Sequence, residues 1–335
     1  MIINNNFKVE DIKNIVIIGF HEKVDELIKI NNKLKINTEV ITCSDHSKNF
    51  PKHIKFKIFD EIDKEFKSYI TKKKLDSNNT LFFSVSNRII FKKEIIKYFK
   101  NNLVNLHESR LPYDAGGAVY SWQILKEDRI AGLTIHVIDE SVDNGPIVMQ
   151  KTMLYPNYCR TPIDLQTFCN EKFVILYEEF LRKLRNKEKL PLSHQSKYIN
   201  RYNPRLSTDQ SGWIDWGLES YDLISFINAF DEPYDGASTF INNKKFKRLF
   251  IKKAQLHGGE TPNHPYMQGI IVRHDKDWIV VSTQGKHMII IEEVLDKNKK
   301  NIISELRAGD RFYTPQNKIE KDRSERVIYN SKGRK

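Results

Sequence analysis

The sequence lacks several features that would place it in common classes of protein. Its three cysteines, Cys43, Cys159 and Cys169, have neither metal-site nor redox-motif spacing, so we expect small core residues in a reducing compartment. No apolar run approaches the roughly 18 residues that a membrane-spanning helix requires. The N-terminus also has no basic start followed by a long apolar core. We therefore predict a soluble, cytoplasmic protein with no membrane partner.

The sequence also has no dinucleotide-binding fingerprint and no pattern of metal ligands. The first apolar run, residues 14–20, contains the single Gly19 and not the G-x-G-x-x-G of NAD enzymes, which disfavours NAD. His257 and His264 lie close together in the chain, but no cysteine or carboxylate has the spacing that would complete a metal site with them. We predict that the protein binds no metal.

Charge, in contrast, is abundant and unbalanced. The 335 residues include 55 Lys and Arg against 43 Asp and Glu, which gives a net charge of +12. A basic surplus suits phosphates, nucleotides or RNA as partners. Because the chain is rich in Lys, Asn and Ile, coding from an AT-rich genome explains the surplus equally well, so charge alone does not select RNA. The length exceeds one average domain and favours two.

Strand and helix patterns alternate over the first half of the chain. Short apolar runs predict strands at residues 14–20, 36–43, 54–59, 80–86, 103–106, 133–138 and 146–153. Periodic segments predict helices at residues 24–34, 61–74, 91–101 and 118–126, and a long helix that begins at Thr161 and Pro162. Such alternation is typical of a doubly wound α/β domain with right-handed crossovers.

The second half of the chain has a different pattern. Five short apolar runs predict strands of a small β-barrel, at residues 238–242, 246–254, 266–273, 278–283 and 287–294. We therefore predict an α/β domain over residues 1–188, a polar linker over 189–212, a β-barrel domain over 213–316 and a frayed basic tail over 317–335.

Residues able to do chemistry are concentrated between positions 103 and 150. Asn105 and His107 lie two positions apart on a predicted strand, so their side chains leave the same face. Asp143 lies in the acidic turn that follows a later strand. A histidine between a carboxylate and an amide can take a proton from an amine nucleophile, and the amide and imidazole can stabilise an oxyanion. No Ser or Cys nucleophile is needed, because a substrate can bring its own.

This stretch resembles the formyltransferases that use 10-formyltetrahydrofolate. Four ordered motifs carry the resemblance: N-L-H at 105–107, L-P at 111–112, T-I-H at 134–136 and D-E-S-V-D-N-G at 139–145. The family includes methionyl-tRNA formyltransferase, glycinamide ribonucleotide transformylase and the nucleotide-sugar N-formyltransferases. The resemblance implies a Rossmann-like formyltransferase domain, an OB-like barrel in two-domain members, and 10-formyltetrahydrofolate as formyl donor. It also implies that Asn105, His107 and Asp143 form the catalytic triad.

The same resemblance implies two sets of binding residues. The folate would lie against two strand ends and the acidic turn, at Arg88, Ile89, Ile90, Ile138, Asp139 and Asp143. The acceptor would be contacted from a loop and a later turn, at Arg110, Tyr113, Gly116, Gly117 and Tyr234. Gly116 and Gly117 fit an anion site at a helix N-terminus and a simple tight turn equally well. His136, on the strand before the acidic turn, either points at the active site or is a packed, satisfied histidine, and we favour the packed histidine.

The acceptor is less constrained than the reaction. Methionyl-tRNA formyltransferases usually carry R-G-A-A-P where this chain has D-A-G-G-A at 114–118, which weakens the tRNA interpretation. We therefore expect a nucleotide-linked amino sugar as acceptor, in the biosynthesis of a surface glycan such as lipopolysaccharide. Methionyl-tRNA is the alternative, favoured by the length, the barrel and the charge. A catalytically silent binding module is disfavoured by the intact triad. Sugar-modifying members are often dimers, so a homodimer stays open.

Overall fold

Seven strands from the first half of the chain form one mixed sheet. The computed structural model describes residues 6–99, 102–243, 245–258 and 263–334. The strands of this region are β1 (Asn6–Phe7), β2 (Asn14–Gly19), β3 (Asn37–Thr42), β4 (Lys57–Ile58), β5 (Thr80–Val85), β6 (Leu103–His107), β7 (Ala115–Gly116), β8 (Ile130–Val137) and β9 (Ile147–Leu154). The sheet order is β4-β3-β2-β5-β6-β8-β9. The first five strands of this order are parallel to one another, and β8 is antiparallel to both of its neighbours, β6 and β9.

Helices cover both faces of this sheet. They are α1 (Val24–Lys33), α2 (Ser44–Ser47), α3 (Lys64–Lys72), α4 (Lys93–Phe99), α5 (Val119–Leu125) and α6 (Pro162–Arg185). Because successive residues of a strand point to opposite faces, Ile15 packs with Leu27 of α1 and Phe173 of α6, while Val16 packs with Phe66 of α3. The predicted doubly wound fold is confirmed. The end of the predicted helix 91–101, at residues 100–101, lies outside the described residues.

The second half of the chain builds a curled antiparallel sheet, which confirms the predicted small β-domain. Its elements, with those of the linker and the tail, are β10 (Leu190–Pro191), β11 (Tyr202–Asn203), α7 (Thr208–Ser211), α8 (Ser220–Ala229), β12 (Ala237–Ile241), β13 (Leu249–His257), β14 (Ile271–His274), β15 (Ile279–Val281), β16 (Met288–Leu295), β17 (Phe312–Tyr313), α9 (Gln316–Ser324), β18 (Tyr329–Asn330) and β19 (Gly333–Arg334). Two 3-10 turns lie at Pro265–Met267 and Ile303–Glu305. The sheet order is β14-β15-β16-β13-β12-β17.

Two details of this sheet differ from the prediction. The strand expected from residue 266 begins only at Ile271, because Pro265 starts a 3-10 turn and Gly269 has a positive φ of 76°. The sixth strand, β17, was not predicted, since two residues are too short to show a period.

Helices α5 and α8 hold the two sheets together. The Ser121 hydroxyl donates to the Ala229 carbonyl at 2.8 Å, and the Ile163 N–H donates to the Glu232 carbonyl at 2.8 Å. Ile124 of α5 also packs against the core of the C-terminal sheet. In the described ranges, no helix is both long enough and apolar enough to cross a membrane.

The linker, which the sequence shows as polar and without clear periodicity, is docked along the α/β domain. Strand β10 pairs antiparallel with β1, and β11 pairs parallel with β7. The Trp122 indole N–H donates to the Pro204 carbonyl at 2.8 Å. The sequence did not predict these contacts, because pairings of two residues between distant segments leave no periodic signal.

The tail, predicted to be frayed, is also folded as far as it is described, while Lys335 lies outside the described residues. Helix α9 is followed by the β18–β19 hairpin. The Arg334 guanidinium donates to the Ser207 hydroxyl at 2.8 Å and to Gln210 Oε1 at 2.6 Å. The Asp45 N–H donates to the Ser331 carbonyl at 3.0 Å. The tail therefore bridges the linker and the α/β domain through polar contacts that hydropathy does not reveal.

Two adjacent residues test whether this docking persists in solution. Val327 is 7 % exposed and Ile328 is 50 % exposed. We expect Val327→Asp to release the tail, because an uncompensated buried charge is strongly unfavourable. Trypsin should then cut faster after Lys321, Arg323 and Arg326, while Ile328→Asp behaves as wild type. Equal cleavage rates in the two variants would contradict the docked tail.

Candidate active site

Strands β6 and β8 meet where the sheet changes from parallel to antiparallel, and they carry the first part of the site. Asn105 and His136 are direct partners in the β6–β8 register, and Asn105 Nδ2 lies 3.2 Å from His136 Nε2. His136 Nδ1 lies 3.0 Å from the Val137 carbonyl oxygen. Because a carbonyl only accepts, Nδ1 donates, and Nε2 is the nitrogen that faces the Asn105 amide.

Asp143 lies in the turn after β8, between two histidines. Its Oδ2 is 3.6 Å from His107 Nδ1 and its Oδ1 is 3.6 Å from His136 Nε2. The Gly116 N–H donates to Oδ2 at 2.9 Å. Burial alone would raise the pKa of Asp143, but His107, His136 and the Gly116 N–H outweigh burial and hold that pKa well below its usual range. The carboxylate is therefore ionised at neutral pH.

The loop after β6 fixes the orientation of His107. His107 Nε2 donates to the Asp114 carbonyl at 2.7 Å, and the Ser109 hydroxyl donates to the same oxygen at 2.6 Å. The ring is buried, and Nδ1 is the nitrogen that faces Asp143. In this geometry Nδ1 is the atom that can exchange a proton next to the carboxylate.

His136 is the site residue that the sequence interpretation missed. It is buried, as expected of a packed histidine, but it contacts both Asn105 and Asp143. The structure thus joins Asn105, His136, Asp143 and His107 in one network. A signal was present: once β6 and β8 are taken as antiparallel partners, the T-I-H motif places its histidine opposite Asn105.

Gly116 and Gly117 serve the close approach of the linker. A Cβ on Gly116, whose φ is +100°, would lie 2.1 Å from the Asn203 carbonyl oxygen. The Gly116 N–H donates to Asp143, and the Gly117 N–H donates to the Asn203 carbonyl at 3.0 Å. Because both N–H groups have internal acceptors, the structure favours the tight-turn alternative over an anion site. Contact of these glycines with the acceptor stays a prediction.

The other predicted acceptor residues have different surroundings. Arg110 forms an ion pair with Asp128, which commits its guanidinium away from His107. Tyr113 and Tyr234 keep 42 % and 36 % of their surface exposed. Burial of the hydroxyl end raises the pKa of Tyr234. The two tyrosines therefore offer surface to a ligand, whereas Arg110 helps to fix the loop.

Of the three residues after β5 that were predicted to bind the folate, only Ile90 is exposed. Ile89 is buried in the core, and the Asn87 side chain binds its N–H and its carbonyl, each at 3.0 Å. The Arg88 guanidinium lies 2.8 Å from Asp45 and donates to His46 Nε2 at 2.9 Å. Ile90 is 80 % exposed, and its backbone N–H and carbonyl have no partner among the described residues.

Ile138 and Asp139 form the opposite edge of the predicted folate site. Ile138 packs against the same core cluster as Ile89, which places the two edges on one side of the sheet. The Asp139 carboxylate accepts the Ser141 N–H at 2.9 Å and so shapes the acidic turn. In the part of the chain that the structure describes, no group of three or more His, Cys, Asp or Glu could hold a metal ion.

Comparison with known proteins agrees with this geometry. A family model described as formyl transferase matches residues 8–157, and one described as formyl transferase, C-terminal domain, matches residues 207–310. The chain belongs to the formyltransferase family, and the protein is a formyltransferase.

The relatives differ in their acceptors. Methionyl-tRNA formyltransferase of Thermodesulfovibrio yellowstonii is 27 % identical over 222 residues, which are 65 % of this chain and 67 % of that relative, about two thirds of its length. The sugar 3N-formyl transferase WlaRD, solved with dTDP and 5-N-formyl-THF, is 19 % identical, with a TM-score of 0.61 over 87 % of this chain and 100 % of that one. The N-formyltransferase from Helicobacter canadensis, solved with folinic acid and dTDP-3-aminofucose, is 18 % identical, with a TM-score of 0.60 over 84 % and 99 %. The solved structures establish a likeness of fold.

Alanine substitutions test the first half of the network. We expect Asn105→Ala and His107→Ala each to lose at least roughly a hundredfold in turnover, because one lost oxyanion donor costs about 2.7–4 kcal/mol in related chemistry. Steady-state formyl transfer measures the loss, and Tyr158→Ala, at a 70 % exposed tyrosine, is the control. Near-normal turnover in either site variant would mean that the site is misassigned.

Asp143→Asn tests the charge of the carboxylate without straining the backbone, since Asn tolerates the left-handed φ of 52° that Asp143 adopts. A carboxylate with a depressed pKa stabilises the fold above the unfolded-state pKa of about 3.9, and this contribution is lost as pH falls through the folded-state value. We expect the gap in free energy of unfolding between wild type and variant to be at least as large at about pH 5 as at about pH 7, and smaller at about pH 3. Urea unfolding measures it. A gap that closes between pH 7 and 5 would contradict the low pKa.

Proposed function

We propose that the protein transfers the formyl group of 10-formyltetrahydrofolate to the amine of a nucleotide-linked amino sugar, as a step in the biosynthesis of a surface glycan. The observation that carries the proposal is the network of Asn105, His136, Asp143 and His107. It combines an amide donor, a proton acceptor and a fixed anion, which are the groups that acyl transfer to an amine needs.

The proposed roles follow from the atoms that are free in this network. Asn105 Nδ2 carries two hydrogens and uses one on His136, so the second can stabilise the oxyanion that develops when the amine adds to the formyl carbon. The proton that leaves the amine passes to His107 Nδ1. Asp143, 3.6 Å away and ionised, stabilises the resulting imidazolium. His136 holds both Asn105 and Asp143 in place.

The residues next to this network fit a folate. When bound, 10-formyltetrahydrofolate supplies the formyl group and a flat polar ring system. Ile90 offers an exposed apolar side chain beside backbone groups that lack internal partners, and such groups suit the edge of a ring. Ile138 would line the opposite wall. Arg88, held by Asp45 and His46, supports this edge from behind.

Two findings support a sugar as acceptor. The solved structures with the same fold include sugar N-formyltransferases, and WlaRD is matched over its whole length. The loop that has D-A-G-G-A also carries an ion pair here, since Lys126 Nζ lies 2.6 Å from Oδ1 of the buried Asp114. This pair rigidifies the loop against the linker.

Methionyl-tRNA is the second candidate. The specific observation in its favour is that curated relatives matched by sequence, such as the protein from T. yellowstonii, are methionyl-tRNA formyltransferases. The net charge of +12 is compatible with RNA. Binding of tRNA would weaken steeply with salt, because counterions are released.

A parallel assay separates the two candidates. With 10-formyltetrahydrofolate as donor, the acceptors would be a panel of nucleotide-linked 3-amino and 4-amino deoxysugars and, separately, methionyl-tRNA. We expect turnover with at least one sugar and none with the tRNA. The Asn105→Ala variant serves as the inactive control. Turnover of the tRNA alone would overturn the proposal in favour of translation initiation.

A further inference from the structure

A cleft of about 540 Å³ lies beside the catalytic turn and is lined by three segments that are distant in sequence. They are residues 141–144 of the turn, residues 197–202 of the linker, and Arg326 of the tail. Its volume is in the range of small-molecule sites. The linker and tail residues lie outside the stretches that the family models match, residues 8–157 and 207–310. The cleft therefore combines a turn inside the matched N-terminal stretch with linker and tail residues outside both matched stretches.

The cleft presents two cations without counter-charges. Among the described residues, no carboxylate lies within ion-pair distance of Lys197 or Arg326. The neighbours of Arg326 in the tail differ: Lys321 pairs with Glu325 at 3.7 Å, Arg323 with Asp215 at 3.5 Å and Arg334 with Asp209 at 3.6 Å. An arginine that lines a cleft and has no carboxylate within ion-pair distance is suited to an anionic ligand.

The walls of the cleft hold Arg326 in position. Arg326 Nη2 lies 3.4 Å from the Tyr202 hydroxyl, and its guanidinium lies 5.8 Å from the centre of the Tyr202 ring. Asn200 Nδ2 donates to Asn144 Oδ1 at 3.2 Å, which ties the linker wall to the catalytic turn. Asn144 is the residue after Asp143, so an anion bound here lies at the entrance to the reaction centre.

We propose that this cleft is the diphosphate subsite for the acceptor, in which Lys197 and Arg326 bind the pyrophosphate of a nucleoside diphosphate and the sugar extends toward Asp143. The assignment rests on the proposed function. A nucleoside diphosphate is the ligand we favour over an RNA backbone, because both cations line the same cleft next to the turn. The lysine ammonium is a compact positive charge, and the arginine guanidinium is a planar group that can donate two parallel hydrogen bonds. Both groups are suited to phosphate oxygens.

Binding can be measured without turnover. The probes are UDP, dTDP, GDP and CDP, titrated by calorimetry into the full-length enzyme and into Lys197→Ala, Arg326→Ala and Arg323→Ala. We expect at least one diphosphate to bind wild type, and each cleft variant to bind it about tenfold or more weakly. Arg323→Ala removes the same side chain three positions away, where it is paired with Asp215, and should match wild type.

The outcomes separate the subsite from the proposed function. Diphosphate binding that is unchanged in Lys197→Ala and Arg326→Ala would overturn the subsite while leaving the function standing. If wild type bound none of the four diphosphates and turned over methionyl-tRNA, both would be overturned. In that case the cleft variants should weaken tRNA binding and flatten its salt dependence. In the expected case, they raise the KM for the nucleotide sugar, and the KM for the folate stays unchanged.

Discussion

The buried carboxylate of Asp143 is the constraint on which the rest of the site depends. A carboxylate removed from water is strongly unfavourable unless opposite charges and hydrogen-bond donors replace the lost hydration. Here the replacements come from separate elements: His107 from β6, His136 from β8 and the Gly116 N–H from the loop. Because all three must be in place at once, the strand pair, the loop and the turn form one cooperative unit.

This unit extends into the linker through a second buried acid. Asp114 fixes His107 with its carbonyl, while its carboxylate binds Lys126 at 2.6 Å and Asn203 at 3.2 Å. Burial would raise the pKa of Asp114, but these two partners and the charge of Arg201 lower it. Gln195 of the linker also donates to the Asp143 carbonyl at 3.0 Å. The linker thus helps to shape the site in addition to joining the two sheets.

The sequence was informative where the structure depends on interactions between residues that are close together in the chain. Periodic apolar runs located the strands of the parallel sheet and the long helix α6, whose Thr161 cap and Asp164 bind each other as expected. The resemblance of short motifs singled out Asn105, His107 and Asp143, and the structure brings these side chains into one network. The residues that sequence reasoning misplaced depend on contacts between distant segments. His136 requires the strand register, and the tail requires polar contacts such as that of Arg334 with Ser207.

The contacts between segments that are distant in sequence are also relevant to how the protein selects its acceptor. Methionyl-tRNA formyltransferases resemble this chain in sequence and sugar N-formyltransferases resemble it in fold, so neither likeness by itself identifies the acceptor. Discrimination then has to come from what surrounds the reaction centre. In this chain the linker contacts the turn of Asp143 through Asn200 against Asn144, and the tail contacts the linker through Arg326 against Tyr202. Both segments are held by networks of polar contacts, so a change of acceptor would require changes in these segments and could leave Asn105, His107 and Asp143 unchanged.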